Sequence, residues 1–247
     1  MPKFFVKTNQ IKENTIEIVG EDVKHILQVL RAKKGEKLNL CDDNTGKNYI
    51  TIIEQIEPEK IVCHIVKETV SVAESKLAIT LFQGMPKSDK LEYIIQKNIE
   101  LGVKQIVPVV MKRCIVKWNE KEVNKKIERL QKIAISAAKQ SGRDTIPKVE
   151  HPVTINNLSQ IIKEFDLVLL AYEGEQNHTL KAILKNTKAV EGMKIGIIIG
   201  PEGGVEKDEV KLLEKAGAKV ITLGKRILRT ETAAIMVISN IIYEYEM

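Results

Sequence analysis

The chain has 247 residues, of which 43% are hydrophobic and 29% are charged, and its formal net charge is +6. This composition is typical of a folded globular protein and excludes disordered and collagen-like chains. No segment reaches the ~18 consecutive apolar residues of a membrane span, and the first residues lack the pattern of a signal peptide. We therefore expect a cytoplasmic protein of one or two domains with no membrane partner.

The cysteine and histidine residues are few and widely spaced. The three cysteines, Cys41, Cys63 and Cys114, form no C-x-x-C pair, and the four histidines are equally scattered. Disulfide frameworks and zinc sites both need several such residues at characteristic spacings. We expect neither a disulfide framework nor a metal site.

The first 70 residues have the pattern of a small β-barrel domain with one helix. Short β-branched or aromatic runs are separated by turn signals such as Asp42–Gly46, which is typical of closely connected strands. One helix is predicted from Asp22 to about Arg31. The predicted strands are Phe4–Val6, Thr15–Val19, Lys37–Cys41, Tyr49–Ile56 and Ile61–Val66.

From residue 71 to residue 247 the pattern changes to strands that alternate with helices. Continuous apolar runs are typical of strands buried on both faces, and their alternation with helices predicts a mostly parallel α/β domain. A helix over 206–216 is expected to end at Gly217. The predicted strands are Leu77–Phe82, Gln105–Val110, Asp166–Ala171, Lys194–Ile199 and Val220–Leu223.

The positive charge is concentrated in the middle third of the chain. Residues 71–150 hold 16 basic and 9 acidic side chains, whereas residues 1–70 are neutral and residues 151–247 have a net charge of −1. Such a local excess favours a polyanionic partner, RNA or DNA, although a solvated helix face gives a similar pattern. Most of the excess lies between Lys112 and Lys148, a stretch that includes a helix predicted over 119–141. Basic residues recur at helical spacing along and just beyond this helix: Lys125, Arg129, Lys132, Lys139 and Arg143.

A glycine loop, Gly200–Gly204, follows a buried strand and precedes a helix. Ligands of open α/β sheets bind at the carboxyl ends of strands, and glycines allow a ligand to approach the backbone. The loop matches neither phosphate-binding fingerprint, and Glu202 suits a cationic or hydroxyl-bearing ligand better than a phosphate. A turn that needs glycine only for its geometry is the alternative.

A second loop, here called the arginine loop (Leu223–Ala233), also lies between a strand and a helix. Arg226, Arg229 and Glu231 are more ionisable groups than an ordinary connection carries. Functional residues concentrate on such loops. The alternative interpretation is a cluster of surface ion pairs.

Together the two loops resemble the signature of the RsmE family, the 16S ribosomal RNA uridine-N3 methyltransferases of the SPOUT superfamily. The resemblance covers essentially the whole chain and implies a PUA-like barrel followed by a SPOUT domain with a C-terminal trefoil knot. It also implies an S-adenosylmethionine cofactor at the knot and a homodimer. The other matching segments are Val29–Arg31, Pro86–Lys90, Gln96–Lys97, Glu100–Gly102 and Gln140–Arg143.

The resemblance further implies which residues bind the cofactor and the substrate. The substrate would be 16S rRNA or the small ribosomal subunit. Cofactor contacts are expected from Leu170, Gly200, Pro201, Glu202, Gly203, Gly204, Leu223, Gly224, Ile227, Leu228, Thr230, Thr232 and Ala233. Independently of the resemblance, the basic stretch is expected to contact RNA phosphates through Lys125, Arg129 and Lys132; further RNA contacts are expected from Arg31, Lys87, Lys90 and Arg226.

Methylation of uridine N3 requires removal of the N3 proton, which leaves negative charge on the two flanking carbonyl oxygens. A guanidinium would stabilise that charge; Arg229 is the first candidate and Arg143 the second. Glu231 or Glu202 would remove the proton or orient a guanidinium. Two alternatives stay open: a SPOUT methyltransferase that acts on another base or on a ribose 2′-hydroxyl, and a non-catalytic RNA-binding assembly protein.

The last helix, over 233–243, is apolar on nearly every side. A helix of this kind must be covered all round. Enclosure within one chain is possible, but the resemblance favours a second subunit. We expect Ile238 or Ile242 at or near the contact of a homodimer.

Overall fold

A computed structural model describes residues 3–70, 73–87 and 89–247 of the chain. The chain forms two compact units, Met1–Glu74 with Ala138–Ile146, and Ser75–Ala137 with Pro147–Met247. We call them the N-terminal and C-terminal units. They differ from the predicted domains, 1–70 and 71–247, chiefly because the segment 138–146 belongs to the N-terminal unit.

The N-terminal unit is built on a curled, mostly antiparallel sheet that contains all the predicted strands. Its strand order is β1-β3-β4-β5-β2, and only β1 and β3 pair in parallel. Alternate residues such as Phe4, Ile16 and Leu40 fill its core. The strands are β1 (Lys3–Val6), β2 (Thr15–Val19), β3 (Lys37–Asp42), β4 (Asn48–Ile56) and β5 (Lys60–Thr69).

The predicted helix of this unit is shorter and less regular than expected. Helix α1 (Glu21–Lys24) continues as a π-helical turn over His25–Val29. The chain then leaves the turn through Arg31, which has a φ of 54°. A non-glycine residue in this left-handed region is uncommon, and the exposed Arg31 side chain stands at this bend.

Buried ion pairs explain why the segment 138–146 joins the N-terminal unit. Arg143 is 2% exposed, and its guanidinium donates to both carboxylate oxygens of Glu74, at 2.9 and 2.6 Å. Asp144 pairs with Lys3, and Lys139 pairs with Asp22 at 2.5 Å. A buried charge needs such partners, so Arg143 and Lys139 contribute to the packing of this unit.

The Glu74–Arg143 pair predicts a pH-dependent contribution to stability. Burial raises the pKa of Glu74, but hydrogen bonds and charge from Arg143 offset this, so the pKa lies below its ordinary 4.5. The carboxylate therefore stabilises the fold above about pH 4.5 and loses this contribution as the pH falls through the lowered value. We expect Glu74→Gln to lower the free energy of unfolding by about 2 kcal/mol at pH 7.

Denaturant unfolding at pH 7 and at pH 3 measures this effect, and the difference between wild type and Glu74→Gln should shrink at pH 3. The control is Glu68→Gln, since the Glu68 side chain is 53% exposed in its pair with Lys47 and exposed pairs contribute little. Equal losses at both pH values would show that the Glu74 charge is not responsible.

The C-terminal unit is built on a parallel sheet with the strand order β12-β10-β11-β6-β7-β8, and β9 also pairs with β7. All of these pairings are parallel, which confirms the predicted α/β class. The predicted strands are present; β8 and β9 were not predicted because each has only two residues. The strands are β6 (Ala78–Gly84), β7 (Gln105–Val110), β8 (Lys148–Val149), β9 (Val153–Thr154), β10 (Leu167–Ala171), β11 (Lys194–Ile199) and β12 (Lys219–Ile221).

The helices of the chain follow the predicted alternation. Gly217, with a φ of +108°, follows the last turn of α6, as the sequence indicates. Short helices α4 and α5 were not predicted. The bounds are α2 (Lys90–Glu100), α3 (Glu120–Ser141), α4 (Ile155–Ile161), α5 (Leu180–Lys185), α6 (Lys207–Lys215) and α7 (Thr230–Glu246).

Helix α7 corrects the expected position of Ile238. Its own unit buries Val237, Ile238 and Ile241 completely, each at 0% exposure. Ile238 therefore cannot lie on a free contact face, because the chain itself already covers it. Ile242 is half-buried, and the face that remains exposed includes Asn240 and Tyr243.

Three further observations concern the described residues alone. None of their helices is both long and apolar enough to cross a membrane. No three of their His, Cys, Asp or Glu side chains are grouped so that they could hold a metal ion. All three cysteines are buried with free thiols.

Candidate active site

The carboxyl ends of β10, β11 and β12 open into a cavity of about 590 Å³ within the C-terminal unit. Parallel strands present their carboxyl ends at one edge of a sheet, which is where α/β proteins bind ligands. The sequence-predicted loops both line it. The lining residues are Lys90, residues 171–173, residues 199–205, residues 222–230 and Ala233.

The glycine loop is packed so closely that side chains at its glycines would collide with neighbours. A Cβ on Gly204, which has a φ of +75°, would meet the carboxylate of Glu173. A Cβ on Gly203 would lie 3.0 Å from the Cβ of Arg113. The loop therefore requires glycine both for its backbone conformation and for its close contacts.

The Arg113 side chain forms hydrogen bonds with the glycine loop and with Glu206. The sequence alone did not identify this residue. Its Nη1 donates to the Gly203 carbonyl at 2.8 Å, and its Nε donates to Glu206 at 2.8 Å. The hydrogen bond to Glu206 raises the pKa of Arg113. Its position shortly after β7, at the carboxyl edge of the sheet, is the signal that could have identified it.

The arginine loop presents both of its arginine side chains to solvent at the cavity. Arg226 and Arg229 are exposed, as is Ile227 at 91%. Thr230, by contrast, is 5% exposed where α7 begins. Its hydroxyl donates to the Gly200 carbonyl at 2.7 Å, so it ties the two loops together.

Two carboxylates meet one lysine beside the cavity. Lys90 Nζ lies 3.1 Å from Glu202 Oε1 and 3.5 Å from Glu231 Oε2. Glu202 also accepts the backbone N–H of Lys87 at 3.1 Å. Partial burial raises the pKa of Glu202, but backbone N–H donors and Lys90 offset this, so its pKa lies below the ordinary value. Glu231 Oε2 is buried and has no hydrogen-bond partner among the described residues.

Most predicted site residues come together in the cavity, but several do not. Leu170 is fully buried in the core under the cavity, because only the residues after it in β10 reach the sheet edge. Thr232 is exposed and does not line the cavity. Glu231 does not line the cavity either, but it forms an ion pair with the lining residue Lys90. Arg143 is bound to Glu74 in the N-terminal unit and is not among the lining residues. The other predicted RNA contacts are not among the lining residues. Lys87 donates its backbone N–H to Glu202, Arg31 belongs to the N-terminal unit, and Lys125, Arg129 and Lys132 are on α3.

Sequence comparison defines the class of protein to which this fold and cavity belong. A family model described as an RNA methyltransferase domain matches residues 73–242, and one described as an RNA methyltransferase PUA domain matches residues 18–66. The first match covers most of the chain and contains both loops. The protein is a member of the RNA methyltransferase family with a PUA-like N-terminal unit.

Two relatives identify the particular family within this class of RNA methyltransferases. The ribosomal RNA small subunit methyltransferase E of Bacillus subtilis (strain 168) is 34% identical, over 100% of this chain and 98% of the relative. That of Mesomycoplasma hyopneumoniae (strain 232) is 31% identical over 98% and 99%. The chain belongs to the ribosomal RNA small subunit methyltransferase E family.

Solved structures of similar proteins include two with the cofactor bound. The Neisseria gonorrhoeae ribosomal RNA small subunit methyltransferase E, bound to S-adenosyl methionine, has a TM-score of 0.81 and 31% identity over 99% of this chain and 98% of that one. A Legionella pneumophila protein, described as a methyltransferase with bound cofactor SAM, has a TM-score of 0.85 and 30% identity over 98% and 96%. The fold of this chain is therefore shared with proteins that bind S-adenosylmethionine.

Proposed function

We propose that the chain transfers a methyl group from S-adenosylmethionine to N3 of a uridine in 16S rRNA of the small ribosomal subunit, in the cytoplasm. The observation that carries this proposal is the cavity formed by the glycine and arginine loops, in a chain that matches the B. subtilis relative over its full length. Incubation with small-subunit RNA and labelled S-adenosylmethionine, followed by nucleoside analysis, tests it. Label in another base or in a ribose 2′-O-methyl group would identify a different methyltransferase specificity.

The residues present fit S-adenosylmethionine. A cavity of about 590 Å³ is within the usual size of a small-molecule site. The glycine loop offers bare backbone, and Leu223 and Leu228 offer apolar surface. The cofactor carries a sulfonium and an ammonium group, and the carboxylates of Glu173 and Glu202 complement this positive charge.

The catalytic roles follow from the charges around the cavity. When bound, S-adenosylmethionine supplies an electrophilic methyl group whose sulfur leaves as a neutral thioether, so no general acid is needed. We assign removal of the N3 proton to Glu231, whose Oε2 accepts no hydrogen bond from the described residues and lies 3.5 Å from Lys90. Glu202 is held more firmly, because it accepts the Lys87 N–H and lies 3.1 Å from Lys90. Arg229 stabilises the charge that develops on the uridine carbonyl oxygens.

Lys90 also has a role in this scheme. It lies between Glu202 and Glu231, so it keeps two neighbouring carboxylates from repelling one another.

A base edge is reached only when the nucleotide leaves its stack, so we expect the target uridine to enter the cavity splayed out. Calorimetry with S-adenosylmethionine separates this scheme from a non-catalytic RNA-binding protein, for which no binding heat is expected.

The proposal includes a C-terminal trefoil knot and a homodimer. The bond from Thr230 to the carbonyl of Gly200 supports passage of the chain end against the earlier loop. The exposed face of α7, with Tyr243 at 68% exposure, supports pairing through this helix, and we expect Tyr243 and Ile242, rather than Ile238, at the contact. We expect sedimentation equilibrium at tens of micromolar to give twice the chain mass; a monomer mass would reject the dimer.

The exposed lysine and arginine side chains of α3 are the proposed RNA surface of the C-terminal unit. Lys125, Arg129 and Lys132 are exposed, and Ile127 and Leu130 lie on the opposite, buried face. Arg129 also pairs with Glu92 but keeps its side chain 66% exposed. Lys139 and Arg143 are engaged in the N-terminal unit and are left out of this surface.

We expect charge reversal of Lys125, Arg129 and Lys132 together to weaken RNA binding and to flatten its salt dependence. Each lost phosphate contact reduces the slope of log K against log salt by roughly 0.7 for single-stranded RNA. Filter binding over a salt series measures this slope. The matched control reverses the exposed Lys207, Lys211 and Lys215 of α6; equal slopes for both triple variants would show that α3 is only a solvated face.

A further inference from the structure

Strand β6 ends beside the glycine loop, and its residue Gln83 contacts the start of α7. Gln83 is 0% exposed. Its Nε2 donates to Thr230 Oγ1 at 2.8 Å and to the Gly84 carbonyl at 2.9 Å. The Thr230 hydroxyl in turn donates to the Gly200 carbonyl at 2.7 Å. One buried chain of hydrogen bonds therefore connects β6, the arginine loop and the glycine loop.

Gly84, the next residue of β6, packs directly against the glycine loop, and this contact does not depend on the hydrogen bonds of Gln83. A Cβ on Gly84 would lie 2.6 Å from Pro201 Cδ and 2.7 Å from Pro201 N. Backbone cannot yield to such a contact as the end of a flexible side chain can, so the two segments are in direct contact because residue 84 is glycine.

One polar atom of the Gln83 amide is buried at an energetic cost. Its Oε1 is buried and has no hydrogen-bond partner among the described residues. Buried polar atoms in proteins are nearly always paired, and each exception calls for an explanation. An apolar side chain of the same length would fill the space without an unpaired carbonyl oxygen, so the two N–H bonds of the amide are what distinguishes glutamine here.

The hydrogen bonds of Thr230 matter because its two neighbours in the chain are the proposed catalytic residues. Arg229 and Glu231 flank Thr230 in the chain, and they are the residues assigned to charge stabilisation and proton removal. We propose that Gln83 is a positioning residue, which acts through Thr230 to set where Arg229 and Glu231 stand relative to the cofactor held by the glycine loop. This inference rests on the proposed function.

The test compares variants that remove or retain the hydrogen-bonding groups. Gln83→Met and Thr230→Val preserve size but break the chain of bonds, whereas Thr230→Ser retains the hydroxyl. We expect the first two to lower kcat by about 30-fold, because small displacements of catalytic groups have effects of this order. The Kd for S-adenosylmethionine should rise less than threefold, and Thr230→Ser should stay within threefold of wild type in kcat.

Asn98→Leu is the matched control. Asn98 is also a fully buried amide with an unpaired carbonyl oxygen, but it donates to Ile94 within α2. We expect it to change thermal stability without changing kcat. This separates a positioning effect from the general effect of removing a buried amide.

The outcomes are distinguishable. A wild-type protein without methyl transfer to the RNA contradicts the proposed function. An active wild type whose Gln83→Met and Thr230→Val variants keep its kcat contradicts the positioning role. The same conclusion follows if Thr230→Ser loses as much activity as Thr230→Val, or if Asn98→Leu loses as much as Gln83→Met.

Discussion

We expect Gly204→Val to abolish binding of S-adenosylmethionine while the protein stays folded. The residue has a φ of +75°, and its new side chain would occupy the space of the Glu173 carboxylate. The left-handed backbone alone costs about 1–2 kcal/mol for a residue with a Cβ, and displacement of the loop would remove its proposed cofactor contacts as well. Calorimetry should show affinity lowered by more than about 100-fold, which corresponds to roughly 2.7 kcal/mol.

Gly217→Val is the matched control for this experiment. Gly217 also has a positive φ, +108°, but a Cβ added to it would meet no atom within 4 Å, and the residue stands apart from the cavity. The substitution should lower thermal stability and leave cofactor affinity unchanged. If Gly204→Val binds the cofactor within threefold of wild type, the glycine loop is only a turn. Gly203→Val, which would crowd Arg113, should behave like Gly204→Val.

The second large effect is expected from Arg229→Gln. In the proposed scheme, loss of the guanidinium removes stabilisation of the charge that develops on the uridine carbonyl oxygens, and removal of one such donor lowers kcat by about 10²–10³-fold. The Kd for S-adenosylmethionine should change little, because this charge is absent from the ground state. Steady-state methyl transfer, combined with calorimetry, measures both quantities.

Lys219→Gln is the control, since Lys219 is exposed at the start of β12, away from the cavity lining. It should retain wild-type kcat. A rise in KM for RNA without a fall in kcat would instead show that Arg229 binds the RNA backbone and takes no part in the reaction.

The sequence predicted the sheets well because buried strands leave a strong pattern. Runs such as Lys194–Ile199 are apolar throughout and were located to the residue. The two loops were also identified, since each lies between a strand and a helix and carries unusual glycines or charges. Strands of two residues, β8 and β9, are too short to have a periodic pattern.

What the sequence did not reveal depends on contacts between distant residues. Arg143 and Lys139 follow the basic spacing of α3, but Glu74 and Asp22 bind them in the N-terminal unit. Spacing along a helix cannot show which carboxylate a cation meets. Ile238 was likewise misplaced, because an apolar helix does not reveal how many of its sides its own chain covers.

The residues that the sequence analysis overlooked in the site share this origin. Glu173 is the second residue after β10, and Gln83 lies near the end of β6. The topology of the sheet therefore brings Glu173 to the cavity and Gln83 to Thr230. Their side chains belong to no recognisable motif. The rule that ligands bind at the carboxyl ends of parallel strands would have indicated Glu173 once the strand order was known.

The central claim is that this chain makes 3-methyluridine in 16S rRNA. The most direct measurement is nucleoside mass spectrometry of 16S rRNA from cells with and without the gene, and from gene-deficient cells that carry the wild-type or the Arg229→Gln gene. The account predicts that 3-methyluridine is lost without the gene, returns with the wild-type gene and returns weakly or not at all with Arg229→Gln. An unchanged 3-methyluridine content in the cells without the gene would contradict it.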